Sequence, residues 1–450
     1  MKTTILYCLC FLLVWLPIPL GSYRPWAILL FSFFISVIFL LHLILSIKKQ
    51  KKLFPPKYSL WVIVPLTCVS NLLLIQLIPG LNTSLSGGLS VISIDPIQTQ
   101  ITLLKTITML LFSWLLFSYC DHYKALVKIV YSIVLGGLIQ ALYATFLNLN
   151  PGLSSLVFNY PFEPRATGSF SYQNFLANYL AICLSIGMGL LISQLSLVNS
   201  QKNLKNNIRD IVSIILSSKM LLRGALILMI IALILTRSRM GNSAFFIALA
   251  IVSIFSFFFY NKKPVSLRPL IISFFIIDIV IVGALFGVDK VHERLSQTSL
   301  ESETRDEVIR DSIPIIVDNF FLGTGGGTFY TAFPKYQAEV YSGNYDNAHN
   351  DYIQFSIEFG VPMTLTLGGI ILIALFISFK TMMKRKTPLY QGVSFGCAVA
   401  IIYMLLHSTV DYSLQAGANS FTFILILCLV FITAKLPREH KKDTIKTSLH

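Results

Sequence analysis

The sequence predicts an all-α polytopic membrane protein of about twelve transmembrane helices with one large, partly helical loop outside the bilayer. Three observations predict it. Of 450 residues, 55% are hydrophobic and only 12% charged, against about 25% charged in a soluble domain. Apolar runs near the twenty residues needed to cross hydrocarbon as a helix recur along the whole chain. The lysines and arginines behind the net charge of +15 gather in short runs between those segments, which is how membrane topology is written rather than how a nucleic-acid face is built.

The apolar runs lie near 4–20, 25–47, 58–79, 101–119, 125–147, 173–195, 220–236, 240–260, 269–287, 351–379, 390–410 and 419–434. The first, with Lys2 ahead of it and Gly21-Ser22 behind, has the outline of a signal peptide; the many spans that follow favour an uncleaved first helix. Breaks at Pro17/Pro19 and at Gly360-Val361-Pro362 imply kinks or short helices outside the membrane. With the N-terminus inside and the spans alternating, Lys48 to Lys57, Lys124 and Lys128, the stretch 202–223, Lys262 to Arg268, Lys380 to Lys386 and the tail 435–450 all fall inside. Most basic residues are then cytoplasmic, as are both termini. The organisation read from this is residues 1–287 with nine spans, the outer loop 288–350, residues 351–434 with three more, and a basic tail.

The outer loop is the one long polar stretch, and unpaired backbone groups exclude it from lipid. Thr304-x-x-Glu307 has capping-box spacing, so a helix is expected from Arg305, with Val308, Ile309, Ser312, Ile313 and Ile316 as an apolar stripe for the membrane interface. Gly323-Thr324-Gly325-Gly326-Gly327 follows without the strand–helix setting of a nucleotide loop, so close packing or a turn is expected there. The loop ends at Ala348-His349-Asn350-Asp351-Tyr352, where Asn347 or Asn350 could cap the next helix.

The chemistry expected follows from charge. Arg165, Arg237, Arg239, Arg305 and Arg310 are basic residues left on the outer side. Interfacial anchoring accounts for any one of them, but as a set they point to a bound anion, and guanidinium suits phosphate because it bonds in bidentate fashion. His349 lies at the membrane re-entry on the same side, with an imidazole that can accept a hydroxyl proton near neutrality. The loop tyrosines (Tyr330, Tyr336, Tyr341, Tyr345) offer flat faces for sugar rings or anchors for the interface. The seven cysteines sit in or beside apolar stretches, and neither a disulfide framework nor a metal site is expected.

Arg165-Ala166-Thr167-Gly168-Ser169-Phe170 with Asn174-Phe175-Leu176-Ala177, Ser238-Arg239, Arg305 before Asp318-Asn319-Phe320-Phe321-Leu322-Gly323, His349-Asn350-Asp351-Tyr352-Ile353-Gln354 with Glu358-Phe359-Gly360, and His407-Ser408-Thr409-Val410-Asp411-Tyr412 occur in that order. Together they resemble the O-antigen ligase/O-antigen polymerase superfamily of bacterial membrane glycosyltransferases, over the C-terminal two thirds. Ile309 and Phe320 depart from the tryptophan and proline the family usually carries there. The resemblance implies a GT-C-like helical bundle in the bacterial inner membrane, with the loop and the active site periplasmic. It implies a donor glycan on undecaprenyl diphosphate, with membrane lipid around it, and an acceptor that is a glycan, lipid A core or a protein side chain. No cofactor, metal or nucleic acid enters. His349 and Arg305 become the catalytic residues and Arg165, Arg237 and Arg239 the diphosphate clamp, with Asn174, Asn350, Asp351, Tyr352, Glu358, His407 and Asp411 in support. The alternatives are a protein O-oligosaccharyltransferase of the same superfamily, a non-enzymatic flippase or transporter of lipid-linked glycan, and a non-catalytic assembly partner. A transporter calls for internal repeats with paired broken helices, and the sequence has none visible.

Overall fold

A computed structural model describes residues 2–80, 82–83, 89–159, 165–195, 218–259, 299–338 and 345–437. The expected span at 269–287, the inner stretch 202–217, the loop residues 288–298 and 339–344 (Tyr341 among them) and the tail from 438 lie outside the described residues.

The described chain is helical apart from a two-residue antiparallel pair, Asn82–Thr83 with Leu89–Ser90. In order come α1 (Lys2–Trp15), α2 (Pro25–Ile47), α3 (Leu60–Gln76), α4 (Pro96–Tyr119), α5 (Tyr123–Leu149), α6 (Gln173–Leu195), α7 (Ser218–Leu235) and α8 (Arg239–Phe259). Then follow α9 (Ser299–Asp318), α10 (Phe329–Ala332), α11 (Asp351–Phe359), α12 (Val361–Lys384), α13 (Pro388–His407) and α14 (Gly417–Lys435). Nine helices among the described residues are long and apolar enough to cross a membrane, and α1 is a shorter apolar helix. The protein is a polytopic membrane protein.

The bundle is built around α6, whose whole spanning window is buried, pressed against α13. Two glycines make that approach possible. A Cβ on Gly189 would lie 2.1 Å from the carbonyl oxygen of Gly392, and one on Gly392 would lie 2.2 Å from that of Gly189. Ser185 and Gly189 on α6 face Gly392 and Gly396 on α13, so small residues repeat every four positions, as where membrane helices touch along their backbones. The outermost helix is α12, of whose spanning window only 11% is buried.

Two details of the loop differ from expectation. Helix α9 starts at Ser299, so Thr304 lies inside the helix and not at its N-terminus; Leu300, Glu301 and Glu303 are good helix formers and extend it backwards. Part of the apolar stripe turns inward. Val308, Ser312 and Ile315 are buried, with Val308 and Ile315 in a small core with Phe329, Phe333, Ala348 and Ile357, while Ile313 and Val317 remain exposed. The loop thus has an interior of its own. The apolar run at 351–379 breaks at Gly360, as its Gly360-Val361-Pro362 implied, into the short α11 and a span that begins at Val361. Gly360 has φ +78°, and a Cβ there would lie 2.5 Å from the Phe321 carbonyl oxygen. Only glycine fits that turn.

Candidate active site

Helix α11 is the platform of the site. Asn350 caps it: its Oδ1 accepts from Tyr352 N (3.0 Å) and Ile353 N (3.1 Å), and its Nδ2 donates to Thr409 O (2.9 Å). Asp351 is buried; its N–H donates to the carbonyls of Ser408 (3.0 Å) and Asp411 (3.1 Å), and Ser408 Oγ donates to its Oδ2 (2.9 Å). Burial holds its carboxyl well above the usual range, Ser408 pulls against that, and Asp411 adds to it. The start of α11 is therefore stitched to the turn between α13 and α14.

His349 stands immediately before that cap with φ +49°, a left-handed conformation few residues other than glycine adopt. Such strain, roughly 1–3 kcal/mol, persists only where the surroundings fix it. Its ring meets the edge of Tyr412 at a centroid distance of 4.8 Å. Tyr412 in turn stacks on Tyr172 (6.0 Å) and meets Phe175 (5.3 Å), and Phe175 meets Tyr23 (5.3 Å). Asn174 Nδ2 donates to Tyr172 Oη (2.9 Å), and Asn347 Nδ2 donates to Tyr23 Oη (3.4 Å). The loop end, the start of α6, the turn after α13 and the turn before α2 thus converge on one aromatic patch. His407 and Asp411, 4.0 Å apart and both buried, lie beneath it.

The arginines form a second group. Ala166 N donates to Leu235 O (3.1 Å), which sets Arg165 beside the end of α7. The turn Thr236-Arg237-Ser238 then leads straight into α8, whose first residue is Arg239. Ser238 Oγ accepts from Gly241 N (3.2 Å) and holds the new helix. Arg165, Arg237 and Arg239 are all exposed, and Arg237 sits at φ +52°. Backbone geometry thus gathers three guanidinium-bearing residues in one place. Arg305 belongs to α9, and its side chain lies outside the described residues. Arg310 pairs with the adjacent Asp311 (3.1 Å).

The glycine run packs closely, as expected. Thr324 N donates to Ile357 O (2.8 Å) and Gly325 N to Glu358 O (3.2 Å), laying the run along the end of α11. Glu358 is buried, with Oε2 accepting from Gly327 N (2.9 Å), and burial pushes its carboxyl up to about 7 against the pull of that N–H. Tyr352 Oη donates to Leu405 O (2.8 Å). Asp351, Glu358 and Lys105 supply the charged groups of a largely apolar cavity of about 220 Å³ among α3, α4, α11, α12, α13 and α14.

Sequence reasoning gave no site role to Lys105, nor to Gln354 and Tyr412, which it met only as the last residues of two motifs. Lys105 had a usable signal, since a lysine inside an apolar span is costly and needs partners; here Nζ donates to the carbonyls of Leu414 (3.2 Å) and Gln415 (3.0 Å). Tyr412 had none beyond its place in a motif, because its contacts come from packing between distant segments.

No curated protein matches the chain. Residues 224–368, about a third of the sequence from within α7 to within α12, match the family model described as O-antigen ligase. The matched segment includes Arg237, Arg239, Arg305, His349 and Glu358. The family supports glycosyl transfer of the O-antigen ligase/polymerase type in general. The match over that third of the chain supports the O-antigen ligase/polymerase superfamily.

Proposed function

We propose that the protein transfers a glycan from undecaprenyl diphosphate to an acceptor hydroxyl at the periplasmic face of a bacterial inner membrane. The observation that carries this reading is the convergence at α11: a strained histidine set on a capped helix, among aromatic faces, on a chain that also gathers three arginines. His349 takes the proton of the acceptor hydroxyl as its oxygen bonds to the anomeric carbon. The bond to the diphosphate breaks, the electron pair leaves with the phosphate oxygen, and Arg165, Arg237, Arg239 and Arg305 neutralise that charge. The chemistry is metal-independent in this reading. The fold is a GT-C-like bundle of about twelve spans with both termini cytoplasmic, and the acceptor is a second lipid-linked glycan, lipid A core or a protein.

One assay tests the chemistry. Purified protein given the lipid-linked glycan extracted from its host transfers it in the presence of EDTA, and Arg239→Lys fails nearly as badly as Arg239→Ala because lysine lacks the bidentate fork. Turnover that needs added Mg²⁺ removes the metal-free route; full activity in the lysine variant reduces Arg239 to a simple positive charge. A second measurement tests the side. A cysteine at the exposed Lys335 reacts with an impermeant maleimide in intact spheroplasts, and labelling only after permeabilisation reverses the orientation.

A further inference from the structure

The peptide ahead of His349 is held from behind by two buried side chains to which the chemistry above gives no role. Gln354 lies one turn into α11 and is 2% exposed; Glu358 lies one turn further and is 1% exposed. Both the nitrogen and the oxygen of the Gln354 amide are engaged. Its Nε2 donates to Asn347 Oδ1 (3.0 Å) and to Glu358 Oε1 (3.0 Å), and its Oε1 accepts from Ala348 N (3.3 Å). The other carboxylate oxygen of Glu358 is fixed by Gly327 N (2.9 Å). A continuous line of bonds therefore runs from the glycine turn through Glu358 and Gln354 to the two residues that precede His349.

We propose that Gln354, backed by Glu358, is the positioning residue that sets the His349 imidazole, an inference that rests on the reading of His349 as the base. The left-handed backbone at His349 is unfavourable by itself and must be fixed on both sides. Asn350 fixes the following side through its cap, and Gln354 fixes the preceding side by grasping Asn347 and Ala348 at once. Neither side chain touches the imidazole in these bonds. Their effect passes through the backbone, and misplacement of a reacting group by about 1 Å can lower a rate about a hundredfold. Glu358 cannot be replaced by its amide alone, because the new NH₂ would face a donor in either orientation, the NH₂ of Gln354 or the N–H of Gly327. Exchanging the two residues restores a donor opposite an acceptor at that contact and leaves an acceptor for both Gly327 N and Ala348 N; Asn347 keeps its bond by turning its amide over, so that Nδ2 donates to the new carboxylate and Oδ1 accepts from Tyr23 Oη.

The test uses the full-length protein and the lipid-linked glycan extracted from its host. Gln354→Leu is expected to lower kcat about a hundredfold with the KM for donor unchanged. Added to His349→Asn, the same substitution is expected to leave the residual rate unchanged, because its effect acts only through His349. Gln354→Glu and Glu358→Gln each lower kcat, and the double exchange recovers most of it. A Gln354→Leu loss that is as large in His349→Asn as in wild type makes Gln354 a merely structural residue and overturns the proposal. So does a wild-type kcat in Gln354→Leu while His349→Asn is inactive. If Gln354→Leu does not fold, an exchange variant that folds but recovers nothing overturns it as well. A wild-type rate in His349→Asn removes the underlying reading instead, so the two failures are distinguishable.

Discussion

Replacing His349 with asparagine is expected to lower glycan transfer by about 10²–10⁴-fold, the usual contribution of a general base, or about 3–5 kcal/mol of barrier. Asparagine is the informative substitution. It tolerates a positive φ better than other side chains, so the backbone at +49° is kept while the basic nitrogen is lost. Donor affinity is expected to stay at its wild-type value, because in the proposed mechanism the arginines, and not His349, hold the diphosphate. The same measurement separates an enzyme from a transporter, which needs no base and would move its cargo unchanged. A His349→Asn protein that transfers at more than about a tenth of the wild-type rate has lost less than a base supplies, and His349 would then be a residue of the turn alone.

Replacing Gly189 or Gly392 with valine is expected to unfold the bundle or lower its melting temperature more than any other single substitution between the spans. The added carbon would lie 2.1–2.2 Å from a backbone carbonyl oxygen, which has no rotamer with which to escape. Overpacking in a core costs about 1–3 kcal/mol when side chains can adjust, and here two whole helices must move apart. Gly368 and Gly369 on α12 are the controls, since a Cβ at either meets nothing within 4 Å. Valine there is expected to leave the thermal melt in detergent unchanged. Equal melting of Gly189→Val and Gly368→Val would mean that α6 and α13 do not approach as described.

How the sequence spoke depended on what had to be read. The spans followed from composition, since a run such as 25–47 has one stable home, and α2 occupies that range. The break at Gly360 was visible because a glycine next to Val361-Pro362 can be recognised locally. The loop helix was harder. A capping-box spacing at Thr304 carried less weight than the helix formers before it, and the stripe on α9 could not say whether its partner was lipid or Phe333. The arginine turn was legible because Thr236 to Met240 leaves no room for a loop. The stacking of Tyr412 between His349 and Tyr172 was not, because it joins residues that only the finished bundle brings together.

The stitching of α11 to the turn after α13 bears on modularity. The family match ends at residue 368, yet the platform it contains is completed by Thr409, Ser408 and Asp411, which accept or donate its bonds, and by Tyr412. The matched segment is therefore not a cassette. A chimera that exchanges residues 224–368 with those of a relative would bring in a platform cut for another seat, and residues 405–415 have to travel with it.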